Sequence, residues 1–365
     1  MSGTTKAKHL LVMAAGTGGH IFPGLAIADE MQQRGWTVSW LGTKTGMEAD
    51  IVAKHGIAMD QLDFTGLRGK GLNHSITGGF KLIASFFACF GVMRRRQPSV
   101  VLGMGGYITV PGGISAALSG RPVVLMNADA PLLLSNKALK PFAKKLMFGL
   151  PSSEQDRAQD EAKEIFTGNP IRRDITNLPE PAKRYAERTG PLRILVVGGS
   201  LGAKALNECV PQAWAAMPLE QRPILTHQSG KQHVEGLRQR YAELGVEAEV
   251  VDFIHDMPRR YAEVDLVICR AGAITVSELT AAGVASVLVP LVASSTSHQR
   301  ANAQWLSKEG GAIHMPQSEM TAEKLAQLVL TMKREQCLAM ANAAYVQGRR
   351  QAVDTIAKIL EDLAI

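Results

Sequence analysis

Apolar positions in this chain come in short, almost unbroken runs separated by stretches of helical period. Leu10 to Ala14, Thr37 to Leu41, Val100 to Tyr107 and Pro122 to Met126 are the runs of the first half. Strands apolar on both faces belong to a parallel sheet covered by helices. Helical patterns are expected from about Pro23 to Arg34 and from about Met47 to His55. A polar stretch, Pro151 to Glu164, interrupts the alternation. It restarts after Pro191, with runs near Ile194 to Val197, Ile224 to His227, Glu249 to Phe253, Leu266 to Cys269 and Ser286 to Val289. The pattern predicts an α/β protein of two domains, 1–167 and 168–344, with a boundary between residues 165 and 172. A helical segment at about 345–365 is expected to pack back onto the first domain.

Ile76 to Met93 is the most apolar stretch, with Phe80, Phe86, Phe87 and Phe90 on a helical pattern interrupted by Lys81 and several glycines. It is marginal against the roughly 20 apolar residues of a transmembrane helix, and a span is not expected. Apolar residues fall on two stripes, Leu82/Phe86/Cys89/Met93 and Ile83/Phe87/Phe90. A helix apolar all round is usually buried. Arg94-Arg95-Arg96 follows directly, however, and apolar plus basic is the combination that holds a protein on an anionic leaflet. Both readings stand.

Composition narrows the picture modestly. A chain of 365 residues, 46% apolar, has enough material for two cores. The formal charge of +7 favours an anionic partner, but zinc-finger spacing, basic-aromatic RNA signatures and basic heptads are missing, so nucleic acid is not expected. Cys89, Cys209, Cys269 and Cys337 lack metal-type spacing and fit a reducing compartment. The short polar start, Met1 to Lys8, has no signal-peptide core, which points to the cytoplasm.

Chemistry concentrates in glycine-rich turns. Gly16-Thr17-Gly18-Gly19-His20 and Gly198-Gly199-Ser200-Leu201-Gly202 each follow an apolar strand and open a helix. Such turns let backbone N–H groups and a helix start face an anion. A dinucleotide site would need an acid at the end of the next strand, but Val38 to Leu41 runs into Gly42-Thr43. Gly103-Met104-Gly105-Gly106-Tyr107 is a third turn of this kind. His20 is a general-base candidate, since a helix start disfavours its cation; the alternative is a histidine that only satisfies a backbone group. Arg172 could neutralise a diphosphate on the second turn. Arg270 to Glu278 again follows a strand and opens a helix, where Glu278 could accept from ribose hydroxyls or be an ordinary first-turn acid. His298-Gln299-Arg300 supplies a neutral amide suited to sugar hydroxyls.

Together these motifs resemble the MurG glycosyltransferases, in order and spacing, over nearly the whole chain. Gly16 to His20 with Pro23 to Ala26, Gly66 to Gly71, Gly103 to Tyr107, Gly168 to Arg172, Gly198 to Ala203 and Gly272 to Glu278 carry the likeness. The resemblance implies the GT-B fold, two Rossmann-like domains whose parallel sheets face a deep cleft, and inverting transfer without metal or other cofactor. It implies transfer of GlcNAc from UDP-GlcNAc to the C4 hydroxyl of undecaprenyl-diphosphate-MurNAc-pentapeptide (lipid I), giving lipid II and UDP. Donor contacts implied are Thr17, Gly18, Gly19, Asp129, Arg172, Ser200, Ile254, Ala273, Ile274, Thr275, Val276, Ser277, Glu278 and Gln299. Gly105, Gly106 and Tyr107 would serve the acceptor, and His20 would assist deprotonation of its hydroxyl. The implied place is the cytoplasmic face of the inner membrane, held peripherally on an anionic surface, with other cell-wall synthesis proteins as partners.

Two departures mark the chain. Where the family usually has His-Glu-Gln-Asn, this sequence has Met126-Asn127-Ala128-Asp129, and Ser297 replaces an acid before His298-Gln299. Asp129 near a diphosphate would need a partner such as Lys137 or an arginine. The rival readings are a GT-B enzyme with another UDP-sugar or lipid acceptor, a UDP-GlcNAc 2-epimerase, and a non-catalytic membrane-bound UDP-sugar binder.

Overall fold

The computed structural model describes residues 7–44, 46–63, 72–151, 162–199, 201–291 and 298–365, with the side chains of 72–82 excepted. The chain forms two compact units, Met1–Arg172 with Arg350–Ile365, and Arg173–Arg349. The first crossing, after Arg172, lies at the end of the expected stretch 165–172, and the second, after Arg349, comes a few residues beyond the expected 344.

The first unit runs β1 (His9–Ala14), α1 (Gly18–Gln33), β2 (Thr37–Thr43), α2 (Glu48–Lys54), β3 (Ala58–Leu62), α3 (Leu72–Arg96), β4 (Val100–Gly105), α4 (Thr109–Leu118), β5 (Val123–Asn127), α5 (Leu134–Leu139), β6 (Lys145–Phe148) and β7 (Glu164–Phe166). The second runs α6 (Arg173–Thr176), α7 (Pro181–Tyr185), β8 (Arg193–Val197), α8 (Lys204–Ala215), β9 (Ile224–Gln228), α9 (Val234–Glu243), β10 (Glu249–Val251), α10 (Met257–Glu263), β11 (Leu266–Cys269), α11 (Ala273–Ala282), β12 (Ser286–Leu288), α12 (His298–Lys308), β13 (Ala312–His314), α13 (Ala322–Thr331) and α14 (Arg334–Gln347). α15 (Ala352–Leu363) belongs to the first unit again.

Among the described residues the first sheet has seven strands, β3-β2-β1-β4-β5-β6-β7, and the second six, β10-β9-β8-β11-β12-β13. All pairings are parallel. The strand order reverses between β1 and β4 and between β8 and β11, and ligands bind open α/β sheets at such switch points.

Each face of the first sheet is covered, which is why its strands read as continuous apolar runs. Leu10, Val12 and Ala14 point into one core with Trp40, Ile356 and Leu360; Leu11, Met13 and Ala15 point into the other with Cys89, Met93 and Leu139. α1 lies close on β2, since a Cβ at Gly24 would stand 2.7 Å from the Trp40 ring. That ring is fixed by its Nε1 donating to the Ala14 carbonyl at 3.0 Å. In the second unit Ile194 and Val196 pack with Leu206, Trp214, Leu325 and Cys337. The four cysteines are free thiols.

α1 begins five residues before the expected Pro23, because the Thr17 carbonyl accepts from the N–H groups of His20 and Ile21 and starts the helix upstream of the proline. β3, β6, β7 and β13 were not among the expected strands; β3, β7 and β13 are sheet edges, short and with one strand neighbour each, so they carry little of the two-faced apolar signal.

The two stripes of α3 have different fates. Cys89, Val92 and Met93 are buried, whereas Ile83 and Phe87 are 56% and 74% exposed. Arg95 and Arg96 are committed to Asp60, at 2.6 and 2.7 Å. No helix among the described residues is long and apolar enough to cross a membrane.

Candidate functional site

At the switch point of the first unit, the turn after β1 brings His20 beside the end of β4. Its Nδ1 lies 3.2 Å from the Ala15 carbonyl, an acceptor only, so Nδ1 carries the proton and Nε2 keeps its lone pair. Nε2 faces Gly105: a Cβ there would come within 2.7 Å of it, and Gly105 also has φ +125°. Gly106, at φ +92°, lets the Ala15 carbonyl approach equally closely. Burial lowers the His20 pKa; the Ala15 bond and the negative charge of Asp129 oppose that shift. The result is a half-buried histidine, neutral near pH 7, with an available basic nitrogen. Thr17 caps α1 as an exposed residue, and Gly18 and Gly19 form the first helical positions.

The altered loop after β5 is held by buried amides. Asn127 donates through Nδ2 to the carbonyls of Asp129 (2.6 Å) and Pro131 (3.0 Å), and its Oδ1 accepts from Leu133 N–H (2.9 Å). Asn136 Nδ2 donates to Met126 O and to Asn127 Oδ1, at 2.9 and 3.1 Å. Asn169 Nδ2 donates to Ala128 O at 3.0 Å. A carboxylate at 127 has no proton for Asp129 O or Pro131 O, so the amide suits this loop. The negative charge of Asp129 bears on His20.

A buried acid from the start of α2 also reaches the first turn. Glu48, wholly buried, accepts from Gly16 N–H at 3.3 Å, Thr43 N–H at 2.9 Å and Thr43 Oγ1 at 2.5 Å. Tyr107 lies against the Thr43 hydroxyl; its pKa is raised, by burial first and also by the Glu48 charge.

In the second unit, the turn after β8 is built on Gly199 and Gly202, at φ +84° and +76°. Gln228, at the end of β9, clasps it: Gly199 N–H donates to Oε1 at 2.9 Å, and Nε2 donates to Gly199 O at 3.0 Å and Asp252 O at 2.9 Å. Ser200, Gly66 to Gly71 and Ser297 lie outside the described residues.

On the other side of that switch point, Gly272 precedes α11 in extended conformation, and little stands near the position of an added Cβ. Ile274, Thr275 and Glu278 are partly accessible on α11, while Ala273, Val276 and Ser277 are buried. Glu278 Oε2 accepts from the Tyr261 hydroxyl at 3.2 Å. Ile254 is buried after β10, and Gln299 uses its Oε1 to accept from Leu291 N–H at 2.9 Å. Arg172 is the last residue of the first unit before the chain crosses. Among the described residues no group of three or more His, Cys, Asp or Glu could hold a metal ion.

Asn136, Gln228, Glu48 and Tyr261 carry no sequence signal of their own, and Asn169 stands out only as part of the Gly168 to Arg172 motif. Glu48 looks like an ordinary acid in the first turn of α2, and Gln228 like the last residue of a strand; only the sheet order brings each against its turn.

Residues 10–148 match the glycosyltransferase family 28 N-terminal domain and residues 193–356 its C-terminal domain. A protein of Janthinobacterium sp. (strain Marseille) is 63% identical over 98% of this chain and 99% of its own length. One of Herminiimonas arsenicoxydans is 64% identical over the same shares. Both are named UDP-N-acetylglucosamine--N-acetylmuramyl-(pentapeptide) pyrophosphoryl-undecaprenol N-acetylglucosamine transferase. The crystal structure of Acinetobacter baumannii MurG is similar at a TM-score of 0.85, with 38% identity, over 97% of this chain and 99% of that one. Two parallel-sheet units of this kind make up the GT-B fold.

Proposed function

This chain belongs to glycosyltransferase family 28, and on that premise we propose that it transfers GlcNAc from UDP-GlcNAc to lipid I, forming lipid II and UDP for peptidoglycan synthesis. The observation that carries this reading is identity above 60% to named transferases along 98% of the chain.

The chemistry divides between the units. In the first, His20 Nε2 takes the proton of the muramoyl C4 hydroxyl as its oxygen attacks the anomeric carbon of GlcNAc. The bond from that carbon to the diphosphate oxygen breaks, its electron pair leaves with UDP, and the configuration inverts. The lowered pKa of His20 supports this role, because the base must be unprotonated before it acts. In the second unit, the Gly198 to Gly202 turn and the start of α11 receive the diphosphate, aided by Ser200, with Ile254 at the uracil, Glu278 at the ribose and Gln299 at the sugar; Arg172, the last residue of the first unit, adds its charge. Thr17, Gly18, Gly19 and Asp129 complete the donor contacts, and Gly105, Gly106 and Tyr107 those of the acceptor.

The exposed apolar stripe of α3 supports peripheral attachment to an anionic membrane surface on its cytoplasmic face, where lipid-borne acceptor and other cell-wall synthesis proteins would be met.

Purified protein given UDP-GlcNAc and a lipid I analogue should release UDP and form a GlcNAc-extended product, with UDP-glucose a poor competitor. Turnover of UDP-GlcNAc without acceptor would favour an epimerase. Binding without transfer would favour a sugar-nucleotide binder.

A further inference from the structure

β9 ends between two of the segments proposed for the donor. Gln228, its last residue, is paired in register with Val197 of β8 on one side and Val251 of β10 on the other. The chain leaves β8 directly into the Gly198 to Gly202 turn, and it leaves β10 through Asp252 toward Ile254, two residues on. A side chain at 228 stands where both segments depart from the sheet, and Gln228 is buried there, at 3% exposure. Its amide bridges them. Oε1 accepts from Gly199 N–H at 2.9 Å, while Nε2 donates to Gly199 O at 3.0 Å and to Asp252 O at 2.9 Å. One N–H and two carbonyls call for one acceptor and two donor protons, which a neutral amide supplies and a carboxylate or an alkyl chain does not. The main chain adds to the hold: Gln228 O accepts from Gly198 N–H at 3.1 Å, and Ser229 N–H donates to Val251 O at 3.0 Å.

We propose that Gln228 is a positioning residue for the donor, tying the diphosphate turn to the uracil loop so that the two subsites are held at the spacing of one nucleoside diphosphate. It acts on the ligand through the segments it joins. Two subsites held at the right separation make the second contact effectively intramolecular, and ordering them beforehand lowers the cost of binding. Without the amide each subsite persists, but their separation is no longer set before UDP arrives. This role rests on the proposed donor site, with the diphosphate on the turn after β8 and the uracil at Ile254.

Gln228→Met keeps the approximate length of the side chain and removes the three amide bonds without adding charge. Its Kd for UDP by calorimetry should rise about tenfold or more, whereas inhibition of donor turnover by inorganic pyrophosphate and by uridine, each filling one subsite, should change less than about threefold. KM for UDP-GlcNAc should rise with the Kd for UDP, and kcat should fall less. A merely structural role would weaken UDP and the two fragments alike; that result, in a variant shown by its melting temperature to be folded, overturns the proposal, as does unchanged UDP affinity. Backbone hydrogen exchange of the wild-type protein gives a second test that needs no variant: Gly199 N–H should be protected before any ligand is added. Free exchange at Gly199 overturns the proposal even if Gln228→Met does not fold. Wild-type protein that binds no UDP overturns the donor site itself, whereas wild-type binding with an unchanged ratio of UDP to fragment affinity in the variant overturns only the role of Gln228.

Discussion

His20 shows how a single side chain is tuned by its supports. Its imidazole is desolvated, and its proton is placed on Nδ1 by the Ala15 carbonyl, so lowering of the pKa keeps the base ready at neutral pH. Because the group works unprotonated, kcat/KM for the acceptor should be flat near pH 7 and fall only below the ordinary histidine value of about 6.5. Asp129 pulls that pKa upward, so Asp129→Asn should move the acid limb to lower pH. A limb that stays put in a pH-rate profile would separate Asp129 from the base. His20→Ala should lower turnover about 10²- to 10⁴-fold with UDP affinity retained, in a comparison of single-turnover rates with calorimetry. Asn127→Asp removes two donations, to Asp129 O and Pro131 O, and should cost about 1–3 kcal/mol in denaturant titration. The glycine turns and His20 could be picked out by their place after apolar runs. The amides that brace them could not, since a buried Asn in a loop has no period and no motif.

Among the elements, α3 carries the clearest surface signal. Its buried stripe is explained by contact with the sheet and α4, which leaves Ile83 and Phe87 as apolar side chains without cover from their own unit. Burying each in a lipid interface would be worth about 1.5–3 kcal/mol. Phe87→Asp should therefore reduce co-sedimentation with anionic vesicles tenfold or more, while activity on a short-chain soluble acceptor is retained. Loss of both together would argue that Phe87 supports the fold. The arginines after the stripe contribute less than their count suggests, since two of the three are paired to Asp60. The sequence showed two stripes but could not say which one the protein covers, because that depends on where α4 lies.

The whole molecule repeats one architecture, with strand order 3-2-1-4-5-6 in the second unit and the same order plus a seventh edge strand in the first. Strands buried on both faces made this legible from the first apolar runs, and polar edge strands such as β3 hid its margins. Stability also has a global pH dependence. His227, at the heart of the second unit, has Nδ1 2.7 Å from the Tyr241 hydroxyl, and burial pushes its pKa down to about 3. Since the folded value lies below the unfolded one, its contribution is intact above pH about 6.5 and is lost progressively as pH falls toward about 3, at up to roughly 1.4 kcal/mol per unit. Melting temperatures of His227→Gln should be flatter than wild type across that window; parallel curves would assign the acid sensitivity elsewhere. Ile356→Ala, on α15, should cost about 2–5 kcal/mol in the first unit. α15 lays Val353, Ile356, Ala357 and Leu360 into the core beneath α1, while Arg34, at the C-terminal end of α1, holds Asp354 and Glu361. During synthesis, then, the unit that begins first is completed last: its core waits for a helix that the ribosome makes only after the entire second unit.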